Sequence, residues 1–436
     1  MKAVKIGILG LGTVGGGVVN VLNRNSAEIS RRTGREIIVT RASVRDLDRA
    51  RICDAKDINL TTDSYAIIRD PEIDIVLELI GGVGLAKELV LQAIENGKHI
   101  VTANKALIAL HGNEIFAKAN NKGVMVLFES AVAGGIPIIK AIREGLSGNQ
   151  IQWLAGIING TGNFILSEMR DHGRDFGDVL AEAQSLGYAE ADPTFDVEGI
   201  DAGHKLAILA SLAFGIPLQF DKVFTEGITR ITRADVGYAE QLGYRIKHLG
   251  IARKTEQGIE LRVHPTLIPE RRLIANVDGV MNAVLVQGDA VGPTLYYGAG
   301  AGAEPTASAV VADIVDVIRV LNTEPENRVP YQAFLASNIV DIPVLSSEQI
   351  KTAYYLRLNA EDKPGVLAEV TRILADHNIS IEALIQKEPL DGEITLPVIM
   401  LTQTTLEKEM NAAIKKIEAL STITGSVCRI RLETLG

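Results

Sequence analysis

One stretch near the amino end constrains the fold more than any other. The apolar run Val4–Leu9 leads directly into Gly10-Leu11-Gly12-Thr13-Val14-Gly15, and a helical pattern follows over residues 14–23. A short, continuous apolar run suits a parallel strand buried on both faces. The glycine turn after it matches G-x-G-x-x-G. There the first glycine permits a tight turn, the second lets backbone approach a pyrophosphate, and the third lets helix and strand pack closely. The helix that follows offers free N–H groups and a positive dipole end to phosphates. The stretch therefore predicts a dinucleotide-binding α/β domain with Gly10, Leu11, Gly12, Thr13, Val14 and Gly15 at the cofactor.

The same rhythm continues through the first third of the chain. Strands are expected at residues 37–44, 73–80, 99–103 and 124–129, and helices at 86–96 and 105–121. Alternation at this spacing predicts a doubly wound parallel sheet, a Rossmann domain over residues 1–136. Near Gly148 the pattern changes. Strand-like runs at 152–158, 258–263 and 283–286 mix with a long helical pattern at 196–214, which predicts a central α+β domain over 137–325. An apolar helix at 307–321 is expected to return and pack on the first domain. Residues 326–352 begin polar and proline-flanked and read as a linker. Beyond it, strand, helix and strand at 355–359, 367–377 and 380–386 are followed by strand, helix and strand at 395–401, 407–420 and 425–431. The order βαββαβ predicts a ferredoxin-like domain over 353–432.

Bulk properties exclude several classes. A net charge of −10 argues against a nucleic-acid partner. Cys53 and Cys428 offer neither a disulfide framework nor a thiolate metal site, as in a reducing cytosol. Lys2 and Lys5 before an apolar run resemble a secretion signal, but the glycines from Gly10 to Gly17 interrupt it, so a cytoplasmic location is expected. No apolar stretch is long enough to span a bilayer. The histidines show no metal-ligand spacing with Cys or carboxylates.

Three basic residues carry candidate chemistry. Arg45 follows the second expected strand, where a ribose 2′-phosphate would be met, with Arg49 and Arg51 nearby. Asp46 beside it leaves the ribose hydroxyls as an alternative partner, so the expectation is NADP(H) preferred with NAD(H) tolerated. Lys105 follows the strand end Val101-Thr102-Ala103-Asn104, and such ends line the ligand crevice of an open parallel sheet. Lys205 lies four residues after Asp201 on one helix face, ahead of an almost wholly apolar segment. Two readings stand for that pair: a helix ion pair, which is the commoner thing, or a proton donor with its partner.

Four segments together resemble the homoserine dehydrogenases. They are Thr102-Ala103-Asn104-Lys105, Asn159-Gly160-Thr161-Gly162-Asn163, the run from Glu190 through Ala191-Asp192-Pro193-Thr194-Phe195-Asp196 to Asp201 and Lys205, and Gly300-Ala301-Gly302-Ala303-Glu304-Pro305-Thr306. They fall in the family's order over residues 1–325; Gly162 stands where the family often has Thr, and Asn163 is kept. The resemblance implies an NAD(P)-linked interconversion of L-aspartate 4-semialdehyde and L-homoserine, in threonine, methionine and isoleucine biosynthesis. It implies Lys205 as proton donor, Lys105 beside cofactor and substrate, and Asp201 in the catalytic set. Glu190, Asp196, Asp201 and Thr161 would bind substrate, and Gly187 and Gly302 would join Arg45 and the glycine loop at the cofactor. The segment 129–136 resembles the family's monovalent-cation loop, with Glu129, Val132, Gly134 and Ile136 as sodium ligands. A plain strand-to-helix turn is the alternative there.

Residues 353–432 resemble an ACT domain, on Asp362-Lys363-Pro364-Gly365-Val366-Leu367 and His377-Asn378-Ile379-Ser380-Ile381. This implies an amino-acid effector such as threonine, with Asn378 as a contact, or a purely structural pairing module. A homodimer or homotetramer is expected, with no membrane partner. Two rivals remain: another amino- or hydroxy-acid dehydrogenase with the same tail, and a sensor that binds cofactor without turnover. Lys105 and Lys205 argue against the second.

Overall fold

In the computed structural model, which describes residues 2–386 and 395–436, Val4–Leu9 is the strand its apolar run predicts. Val4, Ile6, Ile8 and Leu9 are all buried. The strand pairs in parallel with Ile37–Ser43 on one side and Ile75–Glu78 on the other. Asn59–Thr61 extends the first side, and His99–Thr102 and Val126–Leu127 extend the second, which gives a six-stranded parallel sheet. The strand order reverses between Val4–Leu9 and Ile75–Glu78, the switch point at which such sheets open a crevice beyond their strand ends.

The chain forms two compact units, each built from separated segments. Residues 1–158, 203–223 and 281–342 make one, and residues 159–202, 224–280 and 343–436 the other. In the first unit the helix Ala303–Arg319 packs on the helix Thr13–Arg24, and Ala307, Val310, Ile314 and Val317 share one core with Val18, Leu22, Ile6 and Ile8. An antiparallel set, Ile151–Ile157, Met281–Gly288 and Gly292–Ala299, belongs to the same unit. Tyr331 and Arg328 tie the segment after the helix down, donating to the carbonyls of Val124 at 2.6 Å and Gly123 at 2.8 Å.

The second unit is built on the antiparallel pair Tyr244–Lys254 and Ile259–Pro269. The carboxy-terminal segment folds as strand, helix, two strands, helix and strand, with the strand order Ile423–Leu432, Lys351–Glu361, Thr395–Thr402, Ile381–Gln386 and a further two-residue strand before the second helix, Thr405–Leu406, that pairs with the start of Lys351–Glu361. That is the ferredoxin-like arrangement. Its last strand runs parallel to Ile259–Pro269, with Thr266 opposite Arg431 and Leu267 opposite Leu432. One core joins Tyr355, Ile399 and Ile430 to Phe164, Val236 and Leu267.

Charge is buried where these strands meet. Arg262 and Arg431 are fully buried, Arg262 donating to Glu260 and Glu433, and Arg431 to Glu407 and Glu226. Arg357 and the Tyr355 hydroxyl both reach the buried Asp235, at 2.6 Å and 3.1 Å, which itself caps the helix Arg233–Gln241 with Thr232.

One expected element is broken. The helical pattern 196–214 is two helices, Thr194–Val197 and Ile200–Phe214, separated at Gly199 with φ +84°. A Cβ there would stand 3.1 Å from the His248 ring, and the left-handed backbone favours glycine on its own account.

Candidate active site

The glycine loop has the geometry its three roles require. Gly10 adopts φ +96°, closing the turn after the strand. Gly12 has no atom within 4 Å of where a Cβ would stand, so its backbone is open to a bound group. A Cβ on Gly15 would lie 2.3 Å from the Gly10 carbonyl oxygen, so helix and turn meet only through glycine. Thr13 begins the helix Thr13–Arg24, whose first turn carries no acidic residue to repel an anion. Gly12 and Thr13 are exposed, Val14 is half-buried and Leu11 is buried. These residues fit a pyrophosphate at the helix N-terminus. Gly15→Ala is expected to weaken binding of a reduced nicotinamide nucleotide by roughly tenfold or more, about 1.4 kcal/mol. Fluorescence titration checks this, and an unchanged affinity would contradict the assignment of the loop.

At the end of Ile37–Ser43, Arg45 is exposed and makes no ion pair with the described residues. Arg51 donates to the carbonyls of Asp46 at 2.7 Å and Arg49 at 3.0 Å and so holds the loop, while the Asp46 carboxylate accepts the Asp48 N–H at 2.9 Å. The basic residue is therefore presented and the acidic one is turned into a local bond.

Lys105 is the first residue of the helix Lys105–Lys122 and is half-buried just past the strand His99–Thr102. Asn104 caps that helix by accepting the Leu107 N–H at 3.1 Å. Lys205, 9% exposed, donates to the carbonyl of Ile158 at 2.7 Å, just past the strand Ile151–Ile157. It shares the continuous helix Ile200–Phe214 with Asp201.

In the second unit, Asn159 gathers the acidic residues. Its Nδ2 donates to Asp196 at 2.8 Å and to Asp201 at 2.9 Å, while its Oδ1 caps the helix Gly160–His172 through the Gly162 N–H at 2.7 Å. Asp201 is 2% exposed. Thr161 donates to the Tyr188 carbonyl at 2.6 Å and so anchors the segment that carries the exposed Gly187 and Glu190. Asn163 donates to the carbonyls of Val277 at 3.0 Å and Gly279 at 2.9 Å. Lys247, pushed down to about 8 by burial against the pull of Asp278, donates to the same Val277 carbonyl at 2.6 Å.

Glu129, Val132, Gly134 and Ile136 are all buried in one loop of the first unit, where Ala133 and Gly134 have φ +54° and +45°. Burial pushes the Glu129 carboxyl up to about 7, although it accepts the N–H groups of Ile139 at 2.9 Å and Lys140 at 2.8 Å. The donor set is one carboxylate and backbone carbonyls, all hard oxygens, and a monovalent cation would offset what burial costs Glu129. Gly302, exposed with φ +122°, precedes the helix Ala303–Arg319. Among the described residues there is no cluster of three or more His, Cys, Asp or Glu side chains able to hold a metal. No described helix is long and apolar enough to cross a membrane.

Sequence reasoning did not give Asn159 its role, nor single out Glu78, a fully buried carboxyl at the sheet's C-terminal edge.

Known proteins resemble the whole chain. Residues 10–129 match the family model "Homoserine dehydrogenase, NAD binding domain", residues 137–315 match "Homoserine dehydrogenase", and residues 354–421 match "ACT domain". A homoserine dehydrogenase of Pseudomonas aeruginosa is 65% identical over 435 residues, covering 100% of both chains. The crystal structure of a homoserine dehydrogenase from Thiobacillus denitrificans is 66% identical with a TM-score of 0.95, covering 100% of this chain and 99% of that one. A hyperthermophilic archaeal homoserine dehydrogenase in complex with NADPH is 28% identical with a TM-score of 0.61, over 72% of this chain and 97% of that one.

Proposed function

The chain belongs to the homoserine dehydrogenase family, the NAD(P)-dependent oxidoreductases of that name, and on this footing we propose that it reversibly reduces L-aspartate 4-semialdehyde to L-homoserine. The observation that carries the proposal is the company Lys205 keeps: a nearly buried ammonium on the helix Ile200–Phe214, which also carries Asp201 in its first turn, in a chain with an open glycine loop. A reduced nicotinamide, when bound, supplies hydride to the aldehyde carbon. Lys205 then gives its Nζ proton to the carbonyl oxygen, so the C=O bond becomes CH–OH and the lysine regains its proton from water. Glu190 and Asp201 hold the substrate's ammonium group, Asp196 and Asn159 keep Asp201 in place, and Thr161 fixes the segment bearing Gly187 and Glu190. Lys105 stands beside cofactor and substrate. The test is homoserine-dependent growth of the reduced-nicotinamide absorbance band; cofactor binding without that growth would sink the proposal.

The preferred cofactor is NADP(H), with NAD(H) accepted, because Arg45 is presented while Asp46 is engaged locally. Arg45→Ala is expected to raise the KM for NADP+ by roughly tenfold or more, the size of a hydrogen bond to a charged group, and leave that for NAD+ nearly unchanged. Equal changes for both would contradict this. Gly302 also lines the cofactor, and sodium binds at Glu129, Val132, Gly134 and Ile136. The functional parts are residues 1–136 for nucleotide, 137–325 for catalysis and dimerisation, 326–352 as connector, and 353–432 for an effector such as threonine. The protein acts in the cytoplasm as a homodimer or homotetramer, in the biosynthesis of threonine, methionine and isoleucine.

A further inference from the structure

We propose that Glu78 is a positioning residue for the cofactor: its carboxyl ties together two loops at the C-terminal edge of the parallel sheet and so fixes Lys105 and the Gly81-Gly82 turn. The proposal rests on the dehydrogenase reading for what the crevice binds.

Glu78 is the last residue of Ile75–Glu78, paired with Leu9 on one side and Thr102 on the other, at the switch point of the sheet. It is fully buried. A carboxyl there costs free energy unless donors surround it, whereas an apolar residue would cost none. The donors are present. Thr102 Oγ1 donates to Oε2 at 2.6 Å, and the Ile80 N–H donates to Oε1 at 3.1 Å. Thr102 Oγ1 in turn accepts the Asn104 N–H at 3.0 Å. Asn104 caps the helix that begins at Lys105 and donates from Nδ2 to the Gly82 carbonyl at 2.6 Å. A ring of bonds thus runs from Glu78 through Thr102 and Asn104 to Gly82. Gly81 and Gly82 both have φ +70° and no atom within 4 Å of a Cβ position, so the turn the ring holds is open to a flat group. Burial pushes the Glu78 carboxyl up, and the hydroxyl and N–H bonds oppose that push.

The test is a double-mutant cycle read by nucleotide binding. Reduced-nicotinamide fluorescence gives the Kd of NADPH for wild type, Glu78→Ala, Thr102→Val and the double variant. Each single change is expected to raise Kd by roughly tenfold, and the double by no more than the larger single, since the two residues act through one ring. Thr102→Ser, which keeps the hydroxyl, restores the affinity. The Kd of NADPH is expected to rise by more than the KM for homoserine, because the ring holds the Gly81-Gly82 turn as well as Lys105, while the substrate carboxylates are untouched. Singles that fold with Kd unchanged, or effects that simply add, would overturn the proposal. If Glu78→Ala does not fold, the Thr102→Val and Thr102→Ser pair decides alone. Wild type that binds NADPH without turning over homoserine would end the dehydrogenase reading and leave this comparison of Kd values intact.

Discussion

Lys205→Ala is expected to lower kcat by about 10²–10⁴-fold in both directions, the usual worth of a positioned proton donor. The side chain is nearly buried and its ammonium is held by the Ile158 carbonyl at 2.7 Å, so truncation removes the proton donor from a fixed position. Lys205→Arg keeps the charge and is expected not to rescue the rate, because a guanidinium does not give up its proton at working pH. Nucleotide affinity should be unchanged in both variants, since the glycine loop is untouched. A helix ion pair with no chemical role predicts something else: a lower melting temperature and a kcat within about tenfold of wild type, given the small worth of such pairs.

Glu433→Ala is expected to destabilise the protein by about 1.5–3 kcal/mol, the worth of a hydrogen bond to a charged group, because Arg262 loses one of its two carboxylates and keeps Glu260. Glu433 is 6% exposed and accepts hydrogen bonds from Arg253 at 2.9 Å and from Arg262, which is fully buried. Burial alone would raise its carboxyl, but the two arginines outweigh it and hold it below the usual carboxylate range. A carboxyl lowered on folding contributes stability above its unfolded value, about 4.3, and loses it as pH falls through the lower folded value. The urea midpoint of wild type should therefore drop on acidification below that point, and that of Glu433→Ala should drop less. A midpoint unaffected by the substitution at neutral pH would contradict the account.

Much of the fold was legible because its signals are local. Val4–Leu9 is apolar throughout and the glycine turn follows at once, so strand, turn and helix announce one another. The tail could be read because each of its elements keeps its own period and the turn residues fall between them. What escaped was set by tertiary contact. Asn59–Thr61 is three residues with one apolar side chain, and only backbone pairing with Arg41–Ser43 makes it a strand. The break at Gly199 leaves the apolar periodicity intact on both sides, and the His248 ring that crowds a Cβ there lies far along the chain. Asp196 and Glu190 were reached only through resemblance, and for Lys205 and Asp201 the resemblance decided between two readings, since a lysine four residues after an aspartate has an ordinary explanation. Asn159 lies 37 residues from Asp196 and 42 from Asp201, so nothing nearby in sequence marks it as the residue that joins them. Glu78 sits inside an apolar run, where one acid looks like the run's edge.

The central claim is a reduction of one aldehyde by one nicotinamide, and product identification tests it most directly. Purified protein would be given L-aspartate 4-semialdehyde and NADPH, with loss of absorbance followed and the product assigned by mass spectrometry. The account predicts that homoserine appears in step with NADPH oxidation, one for one, and that Lys205→Ala slows both together by the same factor. NADPH oxidation without homoserine, or no oxidation by a protein that binds the nucleotide, would contradict it.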